Sequence, residues 1–213
     1  MKALFLDRDG VVIEYIPYLS KPEQVKIPDG AIEALKLWQD QGYRLVIVTN
    51  QSGISRGYFT YDDVMAIHQR ILEEYGQFGV QFADILMCPH QPADNCHCRK
   101  PSPYLLETYS QHHHIDLARS YFIGDAPSDI ECAINAQCQP VLVLTGRGKE
   151  TKQHLSIVSQ EIIDNDEGGQ KAKGNRQQEF LKQSNYAFVK YNDAISIPIF
   201  DCLLETVKLI RVC

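Results

Sequence analysis

Short apolar runs that stop abruptly at polar or acidic residues constrain this chain more than any other feature. Lys2-Ala3-Leu4-Phe5-Leu6 is too short for a helix and meets Asp7-Arg8-Asp9-Gly10 at once. Arg44 to Val48 runs into Thr49-Asn50-Gln51-Ser52-Gly53, Ser120 to Ile123 into Gly124-Asp125, and Pro140 to Leu144 into Thr145-Gly146. Phe82 to Met87 is a further strand, interrupted by Asp84 and followed by a loop from Cys88 to Lys100. Helical patterns lie between these runs. Ile32, Leu35 and Trp38 share one face ahead of Gly42, and Thr60 with Asp63 caps a second pattern carrying Val64, Ile67, Ile71 and Leu72. Ser102-Pro103 opens a third helix to about Gln111, and Ser128 with Glu131 reads as the capping box of a fourth.

Strand alternating with helix at this spacing implies an α/β fold, a doubly wound, mostly parallel Rossmann-like sheet with helices on both faces. The whole chain, residues 1–213, reads as a single domain without a large cap domain. Residues 149–185 are rich in charges and amides and carry Gly168-Gly169 and Gly174, so they are expected to form a mobile insertion, with a short helix in the apolar patch from Leu155 to Ile163. Tyr186 to Lys190 reads as a last edge strand and Pro198 to Ile210 as a closing helix.

Open α/β sheets bind ligands beyond the carboxyl ends of their strands. The polar clusters are therefore the candidate site. A carboxylate can attack phosphorus to form an aspartyl phosphate while a second acid protonates the departing oxygen and then activates water. Asp7 and Asp9 suit those roles. Acids this close repel, so a divalent cation is expected, with Asp125 as a further oxygen ligand; magnesium suits a site of few carboxylates completed by phosphate and water. Thr49 and Lys100 offer a hydroxyl and a compact charge for phosphoryl oxygens. Singly, each of these residues reads as a turn, a cap or a surface charge, and their joint placement carries the inference.

Seven cysteines make an odd number, and three of them crowd with a histidine between positions 88 and 98. Cys88, His90, Cys96 and Cys98 offer four soft ligands for zinc within one loop, where tetrahedral coordination replaces the core the segment lacks. His97 is a substitute ligand in principle, though its neighbours complete the set. A net charge of −6 argues against retention on nucleic acid or anionic membrane by bulk electrostatics. No run approaches the roughly 18 apolar residues of a membrane span. A cytoplasmic monomer is expected.

Asp7-Arg8-Asp9-Gly10-Val11-Val12, Thr49-Asn50-Gln51-Ser52-Gly53, Arg99-Lys100-Pro101 and Gly124-Asp125 with Asp129 resemble the four motifs of the haloacid dehalogenase superfamily. The resemblance implies a nucleophile at Asp7, an acid/base at Asp9, and phosphate contacts from Thr49 and Lys100. It also implies magnesium at Asp7, Asp125 and the Asp9 carbonyl, with Asp129 in support. The cysteine-histidine loop, together with Asn50 to Gly57, resembles that of the superfamily's heptose-bisphosphate and histidinol-phosphate phosphatases over residues 1 to 148. That branch implies Asn50 and Arg99 near the substrate, a heptose 1,7-bisphosphate losing its 7-phosphate as the first expectation, and histidinol phosphate as the second. Two departures bear on substrate. Ala126-Pro127 stands where relatives often carry a basic residue after the aspartate, and Pro103-Tyr104 where they often have Pro-Gly. Nucleic-acid end processing and a non-catalytic binding protein on the same scaffold are the readings from other classes. Arg147 and Lys149 read either as exposed loop charges or as groups that approach a phosphate.

Overall fold

The computed structural model describes residues 1–155, 187–191 and 195–212. The chain runs β1 (Lys2–Leu6), α1 (Ala31–Asp40), β2 (Tyr43–Asn50), α2 (Tyr61–Gly76), β3 (Phe82–Cys88) and α3 (Tyr104–His113). It continues with β4 (Tyr121–Gly124), α4 (Pro127–Asn135), β5 (Gln139–Val143), β6 (Ala187–Tyr191) and β7 (Ile195–Phe200). The strands form one seven-stranded sheet in the order β3-β2-β1-β4-β5-β7-β6. Every neighbouring pair is parallel except β6 with β7 at the far edge.

The alternation of side chains along a strand divides the core between the two faces of this sheet. Leu4 and Leu6 of β1, with Leu45 and Ile47 of β2, pack against Leu35 and Trp38 of α1 and Ile67, Ile71 and Tyr75 of α2. Ala3 and Phe5, with Val46 and Val48, face the other way onto Leu106 and Tyr109 of α3 and Cys132 and Ala133 of α4. Both faces of the central strands are covered, so they read as continuous apolar runs. Chain order reverses beside β1: the path moves outward through β2 and β3, then restarts on the opposite side with β4. The crevice between the ends of β1 and β4 is the switch point of the sheet.

Local details depart from the sequence expectations in four places. First, α4 begins at Pro127, whose missing N–H and fixed φ suit a first helical turn, so Ser128 and Glu131 do not make its cap. Asp129 does instead, accepting the Ala126 N–H at 3.0 Å. Second, α3 starts at Tyr104 with Pro103 as its N-cap, and Ser102 accepts the Tyr104 N–H at 3.3 Å. Third, Pro198 lies inside β7 rather than opening a helix; the ladder to β5 starts at Ile199, just past the proline. A 3-10 run from Leu203 to Val212 follows. Fourth, residues 148–155 are helical, with Thr151 and Leu155 buried, so the segment from 149 to 155 is packed rather than mobile. The rest of the expected insertion, and the helix proposed for Leu155 to Ile163 beyond its first residue, lie outside the described residues. Asp84 is tolerated in β3 because that strand is an edge and the side chain is exposed. Among the described residues no helix is long and apolar enough to cross a membrane.

Trp38 ties the two ends of the chain together. Fully buried, it meets the Tyr43 ring edge-on at 4.7 Å and donates its indole N–H to Thr206 Oγ1 at 3.1 Å, across 168 residues. Trp38→Ala is expected to lower stability by about 3–5 kcal/mol, and Thr206→Val by about 1 kcal/mol, in denaturant unfolding. A loss below about 1 kcal/mol for Trp38→Ala would show that the closing segment does not dock on α1.

Candidate active site

The strand ends expected to carry the chemistry converge on one cavity of about 280 Å³. Asp7, Asp9, Thr49, Asn50, Arg99, Lys100, Asp125 and Asp129 all line it. Asp7 follows β1 directly and keeps its N–H on the Ile123 carbonyl at 3.0 Å, which holds the ends of β1 and β4 side by side. Lys100 reaches in from the loop after β3. Its Nζ lies 2.8 Å from Asp7 Oδ1, 2.7 Å from Asp129 Oδ1 and 2.8 Å from the Val48 carbonyl. Asp129 thus serves twice, pairing with Lys100 through one oxygen and capping α4 through the other.

Asp7, Asp125 and Asp129 are all buried, and an oxygen from each lies within 4.8 Å of the others. Burial is the main cause raising the Asp7 carboxyl well above its ordinary range, followed by Asp129; Lys100 opposes them. Asp125 is pushed up to about 7 by burial and then by Asp129, against the Arg147 N–H that donates to its Oδ2 at 2.7 Å. Lys100 loses ground to burial, but Asp129 and Asp7 outweigh that and hold the ammonium above its usual value. One ammonium among three carboxylates leaves an excess of negative charge. A divalent cation fits that excess, and the hard oxygen donors suit magnesium.

Close approach of backbone makes this cluster possible. Gly10 sits at φ +88°, and a Cβ there would collide with Asp125 Oδ2. Gly146, on the loop after β5, closes the other side of the same carboxylate, also at positive φ. The Thr145 hydroxyl donates to the Gly10 carbonyl at 2.5 Å and joins the two loops.

Asp9 stands apart from the trio. Arg8 Nε donates to its Oδ2 and Nη2 to its Oδ1, each at 3.1 Å, and Gln51 Nε2 donates to Oδ2 at 3.0 Å. Gln51 also donates to Thr49 Oγ1 at 2.8 Å. The two motif acids therefore occupy different electrostatic settings, one with the ammonium and one with a guanidinium. Asn50 turns its amide on the backbone of Lys100, with Nδ2 donating to the Lys100 carbonyl and Oδ1 accepting its N–H. Arg99 donates to the His90 carbonyl at 3.1 Å. One wall of the cavity comes from the segment Tyr15 to Leu19, where Tyr18 meets Tyr58 edge-on at 4.7 Å.

The cysteine loop lies beside this cavity. Cys88, in register with Asn50, ends β3. Its Sγ lies 3.6 Å from His90 Nδ1 and 3.6 Å from Cys96 Sγ, while Cys98 Sγ lies 3.4 Å from His90 Nδ1 and 3.8 Å from Cys96 Sγ. Tetrahedral zinc with ordinary bond lengths would place its ligand atoms about 3.6–3.8 Å apart. Burial pushes the Cys88 thiol up, so a thiolate there calls for a cation at the centre of the four.

Sequence reasoning left Arg8, Gln51 and His68 without specific partners. Arg8 is 1% exposed, and its Nη1 faces His68 Nε2 at 3.4 Å. A guanidinium only donates, so His68 accepts and is neutral. The lone signal for His68 was its place beside Ile67 on the inner face of α2.

The comparisons agree with this geometry. A family model described as HAD-hydrolase-like matches residues 97–165. The chain is 41% identical over 152 residues to a D-glycero-beta-D-manno-heptose-1,7-bisphosphate 7-phosphatase of Pseudomonas aeruginosa, covering 70% of this chain and 84% of that one. It is also 41% identical over 145 residues to the enzyme of that name from Helicobacter pylori, covering 68% and 83%. The solved D,D-heptose 1,7-bisphosphate phosphatase of B. bronchiseptica, complexed with magnesium and phosphate, superposes with a TM-score of 0.75 at 27% identity, over 99% of this chain and 98% of that one. The chain belongs to the haloacid dehalogenase-like phosphatases, in the family of the heptose-1,7-bisphosphate 7-phosphatases. Its class of reaction is phosphoric monoester hydrolysis.

The buried His68 has a consequence for stability. Burial, then Arg8, lowers its pKa from 6.5 to about 4. As pH falls below 6.5 the unfolded chain binds a proton that the folded protein does not take until about pH 4. Stability from this site is therefore full above pH 6.5 and declines toward pH 4, by about 3 kcal/mol in all. Unfolding free energy measured at pH 7 and pH 5 should drop about 2 kcal/mol less for His68→Gln than for the parent. Equal drops would show that His68 is not held neutral.

Proposed function

We propose that this chain is a magnesium-dependent phosphomonoesterase that removes the 7-phosphate of D-glycero-D-manno-heptose 1,7-bisphosphate through an aspartyl phosphate. The observation that carries the reading is the division of labour between two acids. Asp7 lies against Lys100 in the acidic trio, and Asp9 is clamped outside it by Arg8 and Gln51. With Asp7 Oδ1 on Lys100, Oδ2 is the oxygen assigned to attack phosphorus. As that P–O bond forms and the bond to the sugar oxygen breaks, Asp9, entering this step as the carboxylic acid, gives its proton to the departing oxygen. Water then attacks phosphorus, Asp9 takes its proton, and cleavage from Asp7 releases inorganic phosphate.

Thr49 and Lys100 hold the phosphoryl oxygens in this reading, and Asn50 and Arg99 line the sugar's path. Asp7, Asp125 and the Asp9 carbonyl are the magnesium ligands assigned, and Asp129 fixes Lys100. Magnesium, when bound, neutralises charge on the transferring group. Its presence with phosphate in the B. bronchiseptica enzyme supports that assignment. Cys88, His90, Cys96 and Cys98 hold a structural zinc, supported by their tetrahedral spacing. Cys88, Cys96, Cys98, Cys132, Cys138 and Cys202 form no disulfide, which supports a reducing cytoplasmic setting. The chain is read as a single domain that works as a monomer.

Asp7→Asn should abolish turnover of heptose 1,7-bisphosphate, by at least about 10³-fold in kcat. Survival of activity would remove the nucleophile assignment. The kcat/KM for the bisphosphate should exceed that for histidinol phosphate, and the reverse preference would move the chain to the other branch.

Purified protein should carry stoichiometric zinc by elemental analysis. Cys96→Ser should lose that zinc and lower the melting temperature by several degrees. A metal-free parent of unchanged stability would reject the zinc site.

A further inference from the structure

Helix α2 braces the loop after β1 at two points from its inner face. Tyr75 donates its hydroxyl to the Val12 carbonyl at 2.6 Å, and His68, two helical turns earlier, meets Arg8 Nη1 with its Nε2 at 3.4 Å. Both side chains are buried. The backbone of the loop is fixed on its own, because the Arg8 carbonyl accepts the N–H groups of Val12 and Ile13 at 3.0 and 2.9 Å. What the backbone leaves free is the side chain of Asp9, which is 21% exposed at the cavity.

Arg8 governs that side chain. Its Nε and Nη2 form one edge of the guanidinium and hold both Asp9 oxygens, which leaves Nη1, at the remaining corner, for another acceptor. Among the described residues that acceptor is His68, 3% exposed, and the proton of its neutral ring therefore sits on Nδ1. A two-pronged pair with nothing behind it can swing as a unit. With Nη1 on His68 and Gln51 Nε2 on Asp9 Oδ2, this pair is anchored at both ends. A general acid must lie within hydrogen-bond reach of the oxygen it protonates, so its contribution to rate is sensitive to such anchoring. A histidine that only fills the core would affect stability, with no selectivity for the group that leaves.

We propose that His68 is a positioning residue: by accepting from Arg8 Nη1 it fixes the guanidinium fork and, through it, the aim of Asp9 at the departing oxygen. The assignment rests on the acid role given to Asp9 above. Two substrates separate it from a merely structural role: heptose 1,7-bisphosphate, whose alkoxide needs a proton to leave, and p-nitrophenyl phosphate, whose nitrophenolate does not. The ratio kcat/KM reports the steps through departure of that group. For His68→Leu it should fall about 10-fold or more on the sugar bisphosphate, in kcat with KM little changed, a part of the roughly 10²–10⁴ that acid–base catalysis supplies. On p-nitrophenyl phosphate it should change less than about 3-fold. His68→Gln sets a carbonyl oxygen at the reach of Nε2 and should recover most of the loss. His68→Asn, one bond shorter, should behave like His68→Leu and keeps the test open if the leucine variant does not fold. Asp9→Asn should show the same split in larger measure. Equal losses on both substrates, no loss on either, or a His68→Gln no better than His68→Asn overturns the assignment to His68. An Asp9→Asn without the split overturns the acid role, and a parent inactive on heptose 1,7-bisphosphate overturns the sugar-bisphosphate reading; the His68 assignment falls with either.

Discussion

The site depends on one buried ammonium. Lys100 is 3% exposed and satisfies three acceptors from three parts of the chain: Asp7 after β1, the Val48 carbonyl on β2, and Asp129 in α4. Burying an unpaired charge costs several kcal/mol, and burying three carboxylates together costs more, so neither half of this arrangement is stable without the other. Their charges do not balance. Three carboxylates and one ammonium leave two negative charges when all are ionised, and the upward push on Asp7 and Asp125 is the electrostatic sign of that deficit. The same excess of negative charge that pushes these carboxyls up suits the cluster to a divalent cation.

Topology explains why these groups meet at all. Parallel strands deliver their carboxyl ends to one edge of the sheet, and the reversal between β1 and β4 opens a crevice there. Residues 7 and 125, far apart in sequence, follow hydrogen-bonded neighbours and arrive side by side. Gly10 and Gly146 then let two loops close on Asp125. Pre-organisation of this kind fixes where charge is stabilised before a substrate enters.

Much of this was legible in the sequence because it depends on short-range pattern. Apolar runs of 4 to 8 residues, punctuated by Gly, Asp and Thr, mark strand ends, and the four motif positions line the cavity together. What was not legible depends on partners distant in sequence. Arg8 and His68 lie 60 residues apart and meet only because α2 packs over the loop after β1. The dual use of Asp129 was hidden by its neighbours: Ser128 and Glu131 carry the cap pattern, yet Pro127 starts the helix early enough to put Asp129 in the capping position. Pro198 misled for a similar reason, since a proline breaks a strand pattern on paper while the ladder to β5 begins just beyond it.

The cysteine-histidine cluster belongs to this same logic, although it performs no step of the chemistry. Cys98 is followed at once by Arg99 and Lys100, so whatever fixes Cys98 fixes the start of the segment that must carry the ammonium into the core. The loop between Cys88 and Lys100 has little apolar content of its own and is stitched down at its margins. Gln51 N–H donates to the Cys88 carbonyl at 2.7 Å, Ser55 donates to Asp94 at 2.6 Å, and Asn50 clamps both backbone groups of Lys100. Each neutral hydrogen bond among these is worth only about 1 kcal/mol, so the loop itself is held lightly, and Lys100 is fixed mainly by its ion pairs to Asp7 and Asp129. A metal held by these four ligand atoms would add rigidity to the segment that carries Lys100 to Asp7.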